Sequence, residues 1–230
     1  MGEPATERRE REATYADVLA APEHVVAEIV DGELLLSARP APPHANAAYG
    51  LAALLAPYRF GSMREGDPGG PGGWWLLFEP ELHVLRRPDD RPTGRSGRTF
   101  EVLVPDLAGW RRERLPRLPE EAAFTLAPDW ICEVVSPSTA GLDRIRKLAV
   151  YAREGVRHAW ILDPLARSLE VYRLEGPSWV RVGGFLGNET ARAEPFDAVP
   201  LDLSLLWLPE EPPAPDEPAP PEEPPAPEVP

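Results

Sequence analysis

Glu133 stands inside the apolar run Trp130-Ile131-Cys132-Glu133-Val134-Val135. Read as a strand, the run alternates its side chains between two faces, so Glu133 shares one face with Ile131 and Val135. An ionised carboxylate on an apolar central strand is costly unless a metal ion or a buried base pairs with it. The plainer account is an edge strand with Glu133 in water. Asp106 follows Pro105 at the end of a second strand-like run, Phe100 to Val104. Acids at the ends of neighbouring strands can converge on one hard cation, and Mg²⁺ usually takes only one or two protein carboxylates with waters. By itself, an Asp after proline is a common turn former. Lys147 is the third candidate, because it is the single lysine in a chain with 23 Arg. Where Arg fills the solvated basic positions, a remaining Lys suggests a site that wants a compact ammonium. Its plainer reading is a solvated pair with Asp143 at i, i+4 on a helix.

The elements that would position these groups can be read along the chain. Thr14 caps a short helix, Tyr15 to Ala20, with Asp17 as a capping-box acid. Val25 to Val30, Asp31-Gly32 and Glu33 to Leu36 form a hairpin signal. A helix is expected from His44 to Tyr58, then strands at Trp74 to Phe78, Glu81 to Leu85 and Phe100 to Val104. Trp130 to Val135 is followed by a helix from Leu142 to Arg153, stopped at Gly155. Further strands run Ala159 to Leu162, Leu169 to Leu174 and Trp179 to Val182. This order gives a mixed α/β domain with one central sheet flanked by helices. On the Leu142 to Arg153 helix, Leu142, Ile145, Ala149 and Ala152 make an apolar stripe. Lys147 lies opposite it with Asp143 and Tyr151, so a role for Lys147 requires this second face to look toward the carboxylates.

Composition bounds the rest. The chain has 230 residues, 31 Pro and a net charge of −14. Residues 209–230 hold 11 Pro and 7 acidic residues with no base, which leaves 31 acids and 24 bases, or −7, in the other 208. The expected organisation is a disordered leader, 1–13, a folded domain, 14–208, and a solvated Pro/Glu-rich tail, 209–230. No apolar run approaches the ~20 residues of a membrane span, and the N-terminus lacks the apolar core of a secretory signal. A cytoplasmic location is the expectation. Cys132, the single cysteine, excludes an internal disulfide and a cysteine-based zinc cage, and reads as a core residue. The acidic body argues against a nucleic-acid coat protein, but not against an enzyme with a local basic cleft.

The segments Pro105-Asp106, Asp129 to Thr139, Asp143 to Lys147, Tyr151, Gly155-Val156 and Trp160 to Pro164 closely resemble the Uma2 family of restriction-endonuclease-like proteins. Glu28 to Leu34 and His44 match its N-terminal signature. The resemblance covers about Tyr15 to Trp179. It implies a restriction-endonuclease-like core of the PD-(D/E)xK nuclease superfamily, with a central mixed β-sheet. It implies Asp106 and Glu133 as ligands of Mg²⁺ or Mn²⁺, with the Val134 carbonyl as a further oxygen. The superfamily pattern places a lysine two residues after the Glu, where this chain has Val135, and the family pattern moves that role to Lys147. Glu28 is either a further metal carboxylate or a polar residue on the exposed face of a hairpin. His44 is either a substrate contact or a surface cap, and the surface cap is the plainer of the two.

The implied activity is metal-dependent hydrolysis of DNA phosphodiesters, with Asp106, Glu133 and Lys147 catalytic. An ion held there neutralises phosphate charge and acidifies water, and Lys147 orients water or steadies developing charge. The loops Arg86 to Arg98 and Arg111 to Arg117 carry nine Arg that could follow a nucleic-acid backbone or simply be solvated. A homodimer is compatible with this reading, since paired cuts often use two copies of a one-site nuclease. The rival is a nuclease-like fold that binds nucleic acid or protein without cleaving.

Overall fold

The computed structural model of the chain describes residues 11–61, 70–85, 100–137 and 139–209. Most of the expected leader, nearly all of the tail and the arginine-bearing segment 86–98 lie outside the described residues.

Local rules build the first elements. The Asp17 carboxylate accepts the Thr14 N–H at 2.7 Å and caps α1 (Tyr15–Leu19). Strands β1 (Val25–Val30) and β2 (Glu33–Ala38) are joined by Asp31 and Gly32 at φ 56° and 81°. Two positive φ values make the hairpin turn that Asp-Gly favours. The single helix expected over 44–58 is two, α2 (Pro42–Leu54) and α3 (Ala56–Phe60). Pro57 has no N–H to continue the ladder, and it sits well in the first turn of a new helix.

Four strands then form two long bent ribbons: β3 (Trp74–Phe78) and β4 (Glu81–Leu85), β5 (Phe100–Leu103) and β6 (Leu107–Arg111). Next come β7 (Ala123–Phe124) and β8 (Trp130–Val134), followed by a π-helical turn, Leu142–Lys147, that runs into α4 (Leu148–Arg153). Strands β9 (His158–Asp163), β10 (Ser168–Glu175) and β11 (Ser178–Leu186) form a meander. The short β12 (Thr190–Ala191) and β13 (Leu201–Asp202) precede a 3₁₀ turn, Leu203–Leu206. No helix among the described residues is long and apolar enough to cross a membrane.

The class is mixed α/β, as expected, but the sheet is divided. One sheet runs β2-β1-β5-β4-β7 and the other β11-β10-β9-β8-β6-β3, with β8 and β9 parallel. The chain changes sheet at Glu79-Pro80 between β3 and β4, and at Val104-Pro105-Asp106 between β5 and β6. A proline cannot donate to the ladder, so each ribbon breaks there. The Glu79 N–H donates to the Asp106 carbonyl at 3.1 Å and ties the two bends together. Strand β6 has little strand signal in the sequence, because Leu107-Ala108-Gly109-Trp110 lacks β-branched residues. Its glycine serves packing: a Cβ on Gly109 would lie 2.8 Å from Leu76 Cδ2.

Alternation along β8 feeds two cores. Trp130, Cys132 and Val134 pack with Trp160, Phe196 and α2. Ile131 and Val135 pack on the other face with Ile161, Leu148 and Tyr151. Glu133 belongs to that second face, on an interior strand between β9 and β6, and not on an edge. The helix above it is turned over relative to its apolar stripe: Ile145 is 73% exposed, while Asp143, Lys147 and Tyr151 are buried. The stripe at Leu142, Ile145, Ala149 and Ala152 therefore does not form the main core contact. Cys132 is fully buried, and burial pushes its thiol well above the usual range, in keeping with a core residue.

Candidate active site

Six elements bring their side chains to one place. Glu28 comes from β1, His44 from the first turn of α2, Asp106 from the bend before β6 and Glu133 from β8. Asp143 and Lys147 come from the π turn, and Tyr151 from α4. The π turn carries the Leu148 N–H to the Asp143 carbonyl, a bond across five residues, and such wide turns often mark functional sites. Asp143, Lys147 and Tyr151 follow at four-residue spacing, so one face carries all three inward.

Lys147 is the centre of the cluster. Its Nζ lies 3.0 Å from Glu133 Oε1, 3.1 Å from Oε2, 3.0 Å from Glu28 Oε1 and 3.5 Å from Asp143 Oδ1. The Tyr151 hydroxyl donates to Glu133 Oε1 at 2.6 Å. Glu28 is not on an exposed hairpin face: it is 3% exposed and its Oε1 accepts the Val104 N–H at 2.7 Å. Asp106 is held on both oxygens, by His44 Nε2 at 3.1 Å and by the Val134 N–H at 2.7 Å. In a strand the N–H and C=O of one residue leave on the same edge, so the Val134 carbonyl also faces the Asp106 side. Glu28, His44, Asp106, Glu133, Asp143 and Lys147 all line one cavity of about 550 Å³. Ser136, Thr139 and Arg39 also border it.

The electrostatics follow from burial and an excess of acid. Burial pushes Glu133 well above the ordinary carboxylate range; Lys147 opposes this, and Asp143, Asp106 and Glu28 reinforce it. Burial works against the Lys147 charge too, but the field of Glu133, Glu28, Asp143 and Asp106 overrules it and holds the ammonium well above its usual range. Asp143 is raised by burial, with Lys147 and a Thr139 hydrogen bond opposing. Burial lowers His44, yet its bond to Asp106 and the Asp106 charge leave it raised overall.

Five carboxylates, those of Glu28, Glu79, Asp106, Glu133 and Asp143, thus face three basic side chains, Arg39, His44 and Lys147, in one cavity. That surplus of hard oxygen donors suits a divalent cation, with Asp106 and Glu133 as the central pair and the Val134 carbonyl and Glu28 within the same wall. Among the described residues no three His, Cys, Asp or Glu side chains already form a ligand set. Lys147 instead stands between the acids.

Asp106, Glu133, Lys147 and Glu28, picked from the sequence, converge. His44, read more plainly as a surface cap, is a partner of Asp106; Tyr151 carries no assigned role in the sequence reading, and Asp143 only that of a solvated i, i+4 partner of Lys147, a pair the structure buries at 3.5 Å. Their signal was the spacing 143, 147, 151. The Arg111 to Arg117 segment does not join the cavity, since β6 carries Arg111 roughly 16 Å along the strand from Asp106. Arg111 and Arg112 lie over Trp74 and Trp75 at 4.7 and 4.1 Å, and Arg114 pairs with the buried Asp129 at 2.7 Å.

No curated protein shows significant similarity to the chain. Among solved structures, it resembles one described as a putative nuclease belonging to DUF820 from Anabaena variabilis, with a TM-score of 0.58 and 19% identity. The match covers 84% of this chain and 97% of the other, and at that identity it speaks for the fold. The family profile described as "Putative restriction endonuclease" matches residues 13–205, so the chain belongs to the Uma2 family.

Proposed function

We propose that the chain is a divalent-metal-dependent endonuclease that hydrolyses DNA phosphodiesters, and that Asp106, Glu133 and Lys147 are its catalytic groups. The observation that carries this reading is the contact of the helix-borne Lys147 with Glu133 at 3.0 Å, inside the cavity that Asp106 also lines. It supplies in space the lysine that is missing two residues after Glu133. Asp106 and Glu133 would hold Mg²⁺ or Mn²⁺, with the Val134 carbonyl and Glu28 as further oxygens. Such an ion, when bound, offsets phosphate charge and makes water more acidic. The protein's own groups do the positioning. His44 and the Val134 N–H fix both oxygens of Asp106, and Tyr151 fixes Glu133. Lys147 supplies a positive charge for a phosphate oxygen or an attacking water. A cytoplasmic location and a homodimer belong to the same proposal.

A second reading, a nuclease-like fold that binds without cleaving, is favoured by one observation: Asp106 and Glu133 already have protein partners on both oxygens. Incubation of supercoiled DNA with Mg²⁺ separates the two. Nicking that EDTA stops and that Glu133→Ala abolishes supports the enzyme. DNA retained but uncut by the intact protein supports the binding module.

A further inference from the structure

Lys147 closes Glu133 as the protein stands. Its ammonium is 3.0 Å from one carboxylate oxygen and 3.1 Å from the other, with the Tyr151 hydroxyl 2.6 Å from the first. The same ammonium neutralises Glu28 at 3.0 Å, and its side chain is only 4% exposed. Mg²⁺ sits at about 2.0–2.1 Å from its oxygens, so an ion on Glu133 would share a buried carboxylate with an ammonium of like sign. Both side chains are almost fully buried, so solvent screens the repulsion only weakly. The lysine has an unbranched, rotatable stem, unlike the rigid fork of Arg. Asp143, one turn back on the same helix and 3.5 Å from Nζ, lines the cavity and offers the displaced charge a second partner.

We infer that Lys147 is an exchangeable counterion: it neutralises Glu133 and Glu28 in the ion-free protein, and a divalent ion arriving at Glu133 displaces it toward Asp143 and the cavity. This rests on the metal-dependent reading above and deepens it. The displaced ammonium then faces the space a phosphate would occupy, so the ion binds first and its binding presents the lysine to substrate. The ion-free cluster is stable because the lysine fills the cationic role itself. An Arg at this position, with its planar fork, would not make the exchange in the same small space.

Because Lys147 is the chain's single lysine, feeding ¹³C/¹⁵N-lysine gives one side-chain Nζ resonance in the intact wild-type protein. Mg²⁺ alone is titrated while that resonance and the melting temperature are followed together. The expected result is a saturating shift of the Lys147 signal over the Mg²⁺ range in which the melting temperature begins to climb. A rise in melting temperature with an unmoved Lys147 signal overturns the exchange and leaves the metal site standing. No rise in melting temperature and no shift at millimolar Mg²⁺ overturns both. A second measurement uses Lys147→Met, which should bind Mn²⁺ about tenfold more tightly by calorimetry. Equal or weaker binding counts against the proposal, and if this variant does not fold the wild-type titration still decides.

Discussion

Lys147→Met and Glu133→Gln remove opposite halves of one buried contact, yet they should differ sharply in cost. Lys147 touches Glu133, Glu28 and Asp143 at 3.0, 3.0 and 3.5 Å. Its loss leaves three buried carboxylates facing one another with no cation. Breaking a buried pair costs about 3–5 kcal/mol, and three stranded partners argue for the upper end, about 5 kcal/mol. For a domain of this size each kcal/mol moves the melting temperature by about 2–4 °C, so the loss is roughly 10–20 °C. Glu133→Gln keeps the shape, keeps an oxygen for Tyr151 and Lys147, and removes one charge from an acid surplus. Burial already holds Glu133 well above the ordinary carboxylate range, so its ionised form is the strained one. The cost should be about 1–2 kcal/mol, the difference between a charged and a neutral hydrogen bond. Calorimetric melting of the two variants without metal, at neutral pH, checks this. A Glu133→Gln loss equal to or larger than that of Lys147→Met would refute the claim that the cluster is short of positive charge. A Lys147→Met protein melting within a few degrees of wild type would show that water reaches the carboxylates.

Tyr151→Phe removes a donor to Glu133 and should cost about 1.5 kcal/mol in urea unfolding. The double variant with Glu133→Gln should then cost less than the sum of the two, and full additivity would place Tyr151 outside the cluster. His44 is raised above its ordinary 6.5 by Asp106, so its contribution is complete below that value and fades as pH rises through the higher folded value. The stability advantage of wild type over His44→Gln should therefore shrink toward alkaline pH, and an advantage that grows with pH would reverse the assignment. Gly50→Ala gains about 1 kcal/mol of helix propensity. Its Cβ, however, would lie 2.7 Å from the Leu205 carbonyl where α2 meets the C-terminal segment. A net loss of about 1–3 kcal/mol is expected, and a higher urea midpoint would contradict it.

The legible parts of this protein are those that neighbours along the chain decide. Asp31-Gly32 dictated the first hairpin because few other residues tolerate two positive φ values. Glu133 stands out because an ionised group inside an apolar strand needs a partner, and Lys147 because nothing else in an Arg-rich chain is a lysine. The harder parts depended on geometry that no local pattern encodes. The apolar stripe at Leu142, Ile145, Ala149 and Ala152 pointed the helix the wrong way, since Ile145 ended up in solvent. Leu148, Val150 and Tyr151 cover the core instead. A π turn, whose bonds skip five residues, is invisible to a wheel drawn at 3.6 residues per turn.

Sequence alone therefore determined the chemical types in play, two carboxylates and one ammonium, together with the strands and helix that bear them. Only the tertiary structure decided that Glu28 is buried against Lys147, that His44 holds Asp106, and that the Arg111 to Arg117 segment packs elsewhere. Burial and ion pairing between distant segments are properties of the packed chain: two prolines bend the β3–β4 and β5–β6 ribbons, and the bends bring Asp106 beside Val134 and Val104 beside Glu28. The cost of a buried charge, readable in one dimension, could be met only by a partner that three dimensions supply.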